Sequence, residues 1–472
     1  MLNEELTPAF PAKYRAAGRG DGTPMELSIL DDWTFEIVFD EPYGSFLTAI
    51  AITGWAGYTD LIKPQHFLTP YHINYTSLED MADELAVEEL EADQWHVLFN
   101  TRDVTHWALT QPKAVGFPVL YPWMQVESPS GVMEFHRNPY YHKVDTEGTQ
   151  LPYIDRIVGS EATSLDIVNV RLAAGEIDYF YEAALQHVDF YMANRDSGNY
   201  EVHIAQTPGT RTFFLNFNYD DPVWREVVGD VRFRQALNMA IDNQEVIDSV
   251  LFGFAVPVST IPNVYDPEQA ESLLDEMGMD QRDSEGFRLA PDGSQFTIHL
   301  EFPDIGTSVP TAELLVEYFN AVGVRTQMRV LSAELWSQRA QANELMATLH
   351  WPGGSMTQWR DQPAANYIPT MHWGPLWQQW YASGGESGEE PPEEFKRLFS
   401  LREERIAAVT HSEEDLALQA ELEKIFIEQL PMIFVFEDHG DPVPASRNLG
   451  NVPEKGSVWE YALSAEQLFF SE

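Results

Sequence analysis

Carboxylates outnumber every other reactive group in this 472-residue chain: Asp and Glu total 75, against 28 Lys and Arg and 13 His, and there is no cysteine. With so many acids some pair faces any pocket by chance, so glycosidase-type acid–base chemistry has no specific signature here. Missing thiols exclude disulfides, a thiolate zinc site, an iron–sulfur cluster and a cysteine nucleophile. The histidines are scattered, without an HExxH pair, which argues against a zinc hydrolase. Gly353-Gly354-Ser355 reads as a flexible turn and not as a GxSxG nucleophile elbow. Neither a Walker loop nor a GxGxxG follows any strand-like run. These residues carry no specific signature of catalysis, cofactor or metal.

What remains is binding chemistry. His350 and Trp351 open a stretch, 352–385, that carries Trp359, Tyr367, Trp373, Trp377, Trp380 and Tyr381. A long segment so rich in aromatics reads as functional. Its rings can stack on sugars, line a peptide cleft or cover an inter-domain core, and composition leaves all three open. Asp361 is the acid within this stretch to pair with a ligand amine, or to sit in solvent. His350 and His372 each precede a Trp and read either as ligand contacts or as polar residues at a strand end and in a loop.

The elements that position these residues are legible in the pattern. A strand ending near Phe302 leads to a helix over 311–322 stopped by Gly323, then to the alternating strand 324–330, a helix over 332–343 and a strand ending in His350-Trp351. This βαβαβ order implies an open, mostly parallel sheet with right-handed crossovers. Ligands in such sheets sit beyond the carboxyl ends of strands, which puts His350 and Trp351 at a ligand mouth. Asn216 and Asn218 close another predicted strand, 212–218.

Upstream, Thr34–Phe39 alternates as a strand, 80–92 reads as an acidic helix, and strands are predicted over 117–126, 132–137 and 177–180. A helix over 165–174 closes at Gly175. Asp230, Asp242 and Asp266-Pro267 each begin a helix, the second ending at Gly253 and the third at Gly278. Downstream, 384–394 reads as a solvated linker, 413–429 as a helix, 432–436 and 467–470 as strands.

The formal net charge of -47 disfavours nucleic acid and anionic membrane surfaces as partners. Self-repulsion of that size is relieved by screening, so the composition points to a salt-rich environment, with capture of cationic ligands as the rival reading. The start, Met1 to Pro8, has neither the basic nor the apolar segment of a signal peptide, and the run Phe46 to Gly57 is too short to span a bilayer.

One ordered series of motifs resembles a known family. Gly116 to Tyr141, ending Glu134-Phe-His-Arg137-Asn138-Pro139-Tyr140-Tyr141, is similar to the "G-x-Y-x-L…ER-NP-x-YW" stretch of the family 5 extracellular solute-binding proteins, the oligopeptide- and dipeptide-binding components of ABC transporters. Leu151–Ile157, Ala173–Asp178, Asn216-Phe217-Asn218 and the run Asp230–Asp242 followed by Asp266–Ala270 continue the resemblance. Two departures stand out. Members usually carry a secretory or lipoprotein signal and a long first part of lobe one, so the chain resembles a fragment or a member with a misassigned start. Many peptide binders also have "W-x-A-D-Y-x-D-P" where this chain has His350-Trp351-Pro352-Gly353-Gly354-Ser355, which removes the expected partner for a peptide amine.

The resemblance implies an α/β, two-lobed periplasmic-binding-protein-like fold of type II with a small extra domain, mixed sheets with flanking helices, and a cleft between lobes. It assigns 1–109 to the remnant of the extra domain, 110–205 and 441–472 to lobe one, and 206–440 to lobe two. It implies a monomeric receptor, periplasmic or extracellular, that captures a peptide or similar polar oligomer by lobe closure and delivers it to ABC permease subunits. A glycan-binding or glycan-active protein using the Trp-rich stretch is the alternative. The candidate ligand-binding residues are His350, Trp351, Trp359, Asp361, Tyr367, Trp373, Asn216 and Asn218.

Overall fold

The computed structural model describes residues 5–7, 10–18, 22–52, 62–105, 108–160, 162, 164–181, 183–207, 209, 211–258, 261, 264–305, 307–351, 367–457, 461 and 464–471. Alternation at Phe35–Val38 gives a strand, β2, as its pattern predicts, and it pairs antiparallel with β1, Glu26–Ile29. Short helices from Gln65 to Arg102 follow and pack around two small cores, Met81/Leu85/Trp95/Leu98 and Leu68/Val104/Ala108/Ala114/Phe117. The second core runs across position 109, so these helices and the segment to Phe117 fold together. The predicted helix at 80–92 is shorter, Ala82–Val87.

β3 (Trp123–Val126), β4 (Val132–Arg137) and β5 (Arg156–Ser160) form an antiparallel sheet. The Asn138 amide of the NP turn donates to the Val119 and Tyr121 carbonyls, which fixes the turn against the preceding segment. The predicted strand at 177–180 is not one. Tyr179 makes only an isolated bridge to Ala445, on the edge of β12 opposite β6, Tyr200–Thr207, through Phe180 N–H to Pro444 O and Ser446 N–H to Asp178 O. Near the end of the chain Glu466 accepts from Tyr141 and from Lys143 Nζ at 2.9 Å, tying this smaller unit together. β13 (Leu449–Gly450) and β14 (Phe469–Phe470) pair beside it.

The largest core belongs to a sheet built from β7 (Arg211–Leu215), β9 (Ile298–Pro303), β10 (Thr326–Leu331), β11 (Ala347–His350) and β12 (Met432–Ser446), in the order β10-β9-β11-β7-β12-β6, with β8 (Ala255–Val256) against β12. β9, β10 and β11 are parallel, as the βαβαβ pattern predicts, and the helices Ser308–Ala321 and Ala333–Gln341 make the crossovers. β7 runs antiparallel to both β11 and β12.

Sequence-legible caps start the surrounding helices. Asp230, Asp242 and Asp266 each accept a backbone amide from the first turn of their helix, satisfying donors that have no intrahelical partner. The motif Asp230–Asp242 is structural in consequence. The Arg234 guanidinium is buried, donates to the Gln429 and Val228 carbonyls, and lies over the Phe217 ring at 4.9 Å.

Two helices lie outside the predicted elements: Pro375–Ala382 in the segment read as a loop, and Glu393–Ala407, which starts at the end of the 384–394 linker. The first begins at Gly374-Pro375 and buries Trp377, so its apolar stripe is too short to register as a period. The second was obscured by the Glu- and Pro-rich run before it.

Candidate functional site

The main chain changes strand partners at two adjacent places. One is the link from β6 to β7. The other lies inside β12, which pairs with β7 over Met432–Phe436 and with β6 over His439–Ser446. The left-handed conformation of Asp438 (φ 28°) marks the bend between the two halves. Both crossings emerge at the edge of the sheet where β9 and β11 end, so Ile305, Trp351, Arg211 and Asp438 meet there.

Contacts at this meeting point are close. An Arg211 amino group donates to the Ile305 carbonyl at 3.4 Å, and the Gly209 amide donates to Asp438 Oδ1 at 3.2 Å. A Cβ on Gly209 would sit 2.9 Å from Trp351 Nε1, so any side chain there would have to displace the indole. Thr207 donates its hydroxyl to Asp441, and His439 Nε2 lies 3.4 Å from the same carboxylate. Burial pulls the Arg211 guanidinium down to about 10, with Asp441 opposing, and it stays charged at neutral pH. Burial pushes the Asp441 carboxyl up, but His439, Thr207 and Arg211 together hold it below the ordinary carboxylate range.

His350 begins a column of stacked rings. It lies 4.1 Å from Trp336 at an interplanar angle of 13° and 5.2 Å from His372, which stacks in turn on Phe214 at 4.9 Å. Its Nδ1 faces the Trp351 carbonyl at 3.0 Å. Burial lowers His350 and pushes His372 down to about 3, so both imidazoles are neutral and pack as aromatics. Trp351 itself is 50% exposed, a large apolar surface left open beside a charged cluster.

The predicted site residues divide. His350 and Trp351 lie together at the crossing. Asn216 and Asn218 lie at the opposite edge of the sheet, because β7 runs against β11 and pairs Ala347 with Leu215 and His350 with Thr212. There Asn216 Nδ2 donates to Asn343 Oδ1 and to the Leu345 carbonyl, both at 2.8 Å. Asn218 Oδ1 accepts the Leu376 and Trp377 amides, so both side chains hold loops to the strand end. Tyr367 and Trp373 are fully buried in the main core, where Trp373 packs edge-on against Phe217 and Phe395. Trp359 and Asp361 lie outside the described residues. Arg211, Asp441 and His439 carry no sequence signal as a site, since only the pairing of β6, β7 and β12 brings them together.

A profile of bacterial extracellular solute-binding proteins, family 5 Middle, matches residues 8–368. The chain belongs to this family. A similar protein, the periplasmic alpha-galactoside-binding protein of Rhizobium meliloti (strain 1021), is 25% identical over 271 residues, covering 48% of this chain and 37% of that protein. The matched stretch thus spans little more than a third of that relative's length. Among solved structures, an oligopeptide-binding protein OppA shares 28% identity at a TM-score of 0.72, covering 100% of this chain and 78% of that one. The Agrobacterium fabrum C58 periplasmic binding protein MelB, solved with stachyose, has the same fold at 20% identity and a TM-score of 0.65, covering 98% and 68%. The family 5 fold is the two-lobed α/β architecture of periplasmic binding proteins, with mixed sheets and flanking helices.

Proposed function

We propose that this family 5 solute-binding protein captures a polar oligomer, a peptide or a similar chain, in a cleft beside the two crossings and hands it to the permease of an ABC importer. The larger unit, about 206–440, serves as one lobe and 110–205 with 441–472 as the other, each crossing lying at a lobe boundary. The observation that carries this reading is the convergence of two chain crossings, the Arg211/Asp441/His439 cluster of polar side chains and the half-exposed Trp351 at one sheet edge. Ligand bridging both sides would stabilise the closed arrangement, and the protein would bind without turnover. As a member of its family it works outside the cytoplasmic membrane. No described helix is long and apolar enough to cross a membrane.

A second reading, an oligosaccharide ligand, is favoured by the exposed face of Trp351, since indole rings stack on sugar faces, and by the alpha-galactoside and stachyose named for two similar proteins. Mass spectrometry of small molecules released on denaturing protein purified in high salt, against a mock purification, tests both. A near-stoichiometric peptide supports the first reading and an oligosaccharide the second. Hydrolysis of a labelled oligosaccharide by the purified protein would overturn the receptor assignment.

A further inference from the structure

The segment before the small helices touches two different parts of the molecule. At one end Glu5 accepts from Trp95 Nε1 and Leu6 packs on the Met81/Leu85/Leu98 core, which anchors it to the helical unit. At the other, Tyr43–Thr48 is seated on the end of the helix Glu393–Ala407 in the larger unit. The last carbonyls of a helix have no intrahelical donor. Here the Gly44 amide donates to Ala407 O at 3.0 Å, the Ser45 amide to Ile406 O at 3.1 Å and Ser45 Oγ to Ile406 O at 3.0 Å. Thr48 and Thr410 hydroxyls meet at 3.0 Å. The helix closes on itself through Ala408 N–H to Glu404 O, and a segment more than 350 positions away in sequence supplies the donors to its Ile406 and Ala407 carbonyls.

The fit is tight and local. A Cβ on Gly44 would lie 2.4 Å from the Ala408 backbone, so any other residue there forces the two segments apart. Ser45 is buried in the contact. Phe39, Tyr43 and Phe46 form a small ring cluster beside it, with centroids 4.8–5.3 Å apart, and the Tyr43 phenol lies near enough to Arg402 to feel its charge. Ala16–Gly18, earlier in the same segment, also lie against the helix Glu393–Ala407, so the strap is the polar part of a wider junction.

We propose that Tyr43–Thr48 is a closure latch: it caps the helix Glu393–Ala407 when the lobes are closed and releases it when they part. This rests on the lobe-closure reading above. The two crossings restrain the lobes at one side of the molecule, and the strap from the helical unit to this helix adds a further connection that opening must break. Its contacts are backbone amides on helix carbonyls, which water can replace on release at little net cost. The latch would bias the closed population without touching the solute.

The absence of cysteine from the chain allows a clean test. A Thr48→Cys/Thr410→Cys pair is made, and the protein is dialysed until no solute is released on denaturation. Small-angle scattering then compares reduced with oxidised protein and wild type with Gly44→Val. The expected result is a shift to a smaller radius of gyration on oxidation and to a larger one in Gly44→Val. Equal radii in all four samples would overturn the latch and make the strap a permanent part of the larger unit. If Gly44→Val fails to fold, the oxidised and reduced pair decides alone. No solute is present in these measurements, so failure of the receptor assignment, read from the released small molecules, is separable from failure of the latch.

Discussion

Trp351 and Trp373 are equivalent on the page of the sequence, both tryptophans that follow a histidine in an aromatic-rich stretch, yet they do opposite things in the structure. Trp373 is fully buried among Phe217, Trp377 and Phe395. Its replacement by Ala should destabilise the protein by about 3–5 kcal/mol, the range for emptying a large aromatic site, read from urea unfolding. Trp351 has half its surface in solvent. Trp351→Ala should therefore leave stability within about 0.5 kcal/mol while weakening binding of the co-purifying solute roughly tenfold or more, as for an anchor residue at a binding surface. Calorimetric titration showing unchanged affinity would remove Trp351 from the site. Sequence could not separate the pair, because burial of a loop residue is decided by what packs over it, and the helices Pro375–Ala382 and Glu393–Ala407 that cover Trp373 were themselves hidden by short stripes and acidic flanks.

At the scale of elements, the βαβαβ unit and its caps were readable because each signal is local: alternation in β10, a Gly stop after the helix Ser308–Ala321, an Asp or Ser before a first turn. Strand direction is not local. The opposed run of β7 carries Asn216 and Asn218 to the far edge, and the full length of β12 joins two units through one strand. The family motifs were legible for a different reason, since Asn138, Arg234 and Asn216 hold turns and carbonyls that the fold requires, not a ligand. The column Trp336–His350–His372–Phe214 ties the helix Ala333–Gln341, β11, β7 and the segment before Pro375 together, and it makes a pH prediction. Both imidazoles are lowered by burial, His372 to about 3, whereas the unfolded chain takes up protons near pH 6.5. Between those limits the unfolded state binds the more protons, so stability is fully present above about pH 6.5 and falls as pH drops toward 3. The slope is at most about 1.4 kcal/mol per pH unit for each fully shifted group. Asp441, held below its ordinary value of 3.8, loses its contribution in the same direction once pH falls to that value and below. Urea midpoints at pH 7, 6 and 5 should fall more steeply for wild type than for His372→Phe, which keeps a ring in the stack and removes the titration. Equal slopes would mean that His372 is protonated in the folded protein.

At the scale of the whole molecule the dominant quantity is the net charge of -47. Many of the 28 basic side chains are already committed to local pairs, such as Arg397 with Glu404 and Glu421 or Arg325 with Asp283 and Glu285, so the acidic excess acts at long range and against compaction. Screening length falls from about 30 Å in 0.01 M salt to about 3 Å at 1 M, which spans the change from repulsion across the whole body to repulsion between neighbours only. The melting temperature should therefore rise between dilute buffer and molar NaCl, and on the proposed lobe closure the closed form should gain population over the same range. The shape of the rise identifies its cause. Screening acts most steeply at low concentration and flattens once the screening length is shorter than the spacing between charges. Salt exclusion from the protein surface instead strengthens steadily with concentration and is stronger for sulfate than for chloride. A curve that climbs through the first few tenths molar and then flattens, equal for NaCl and for sulfate at matched ionic strength, assigns the stabilisation to charge. No rise at all would mean that the acidic surface serves another purpose, with attraction of cationic solutes the next to test.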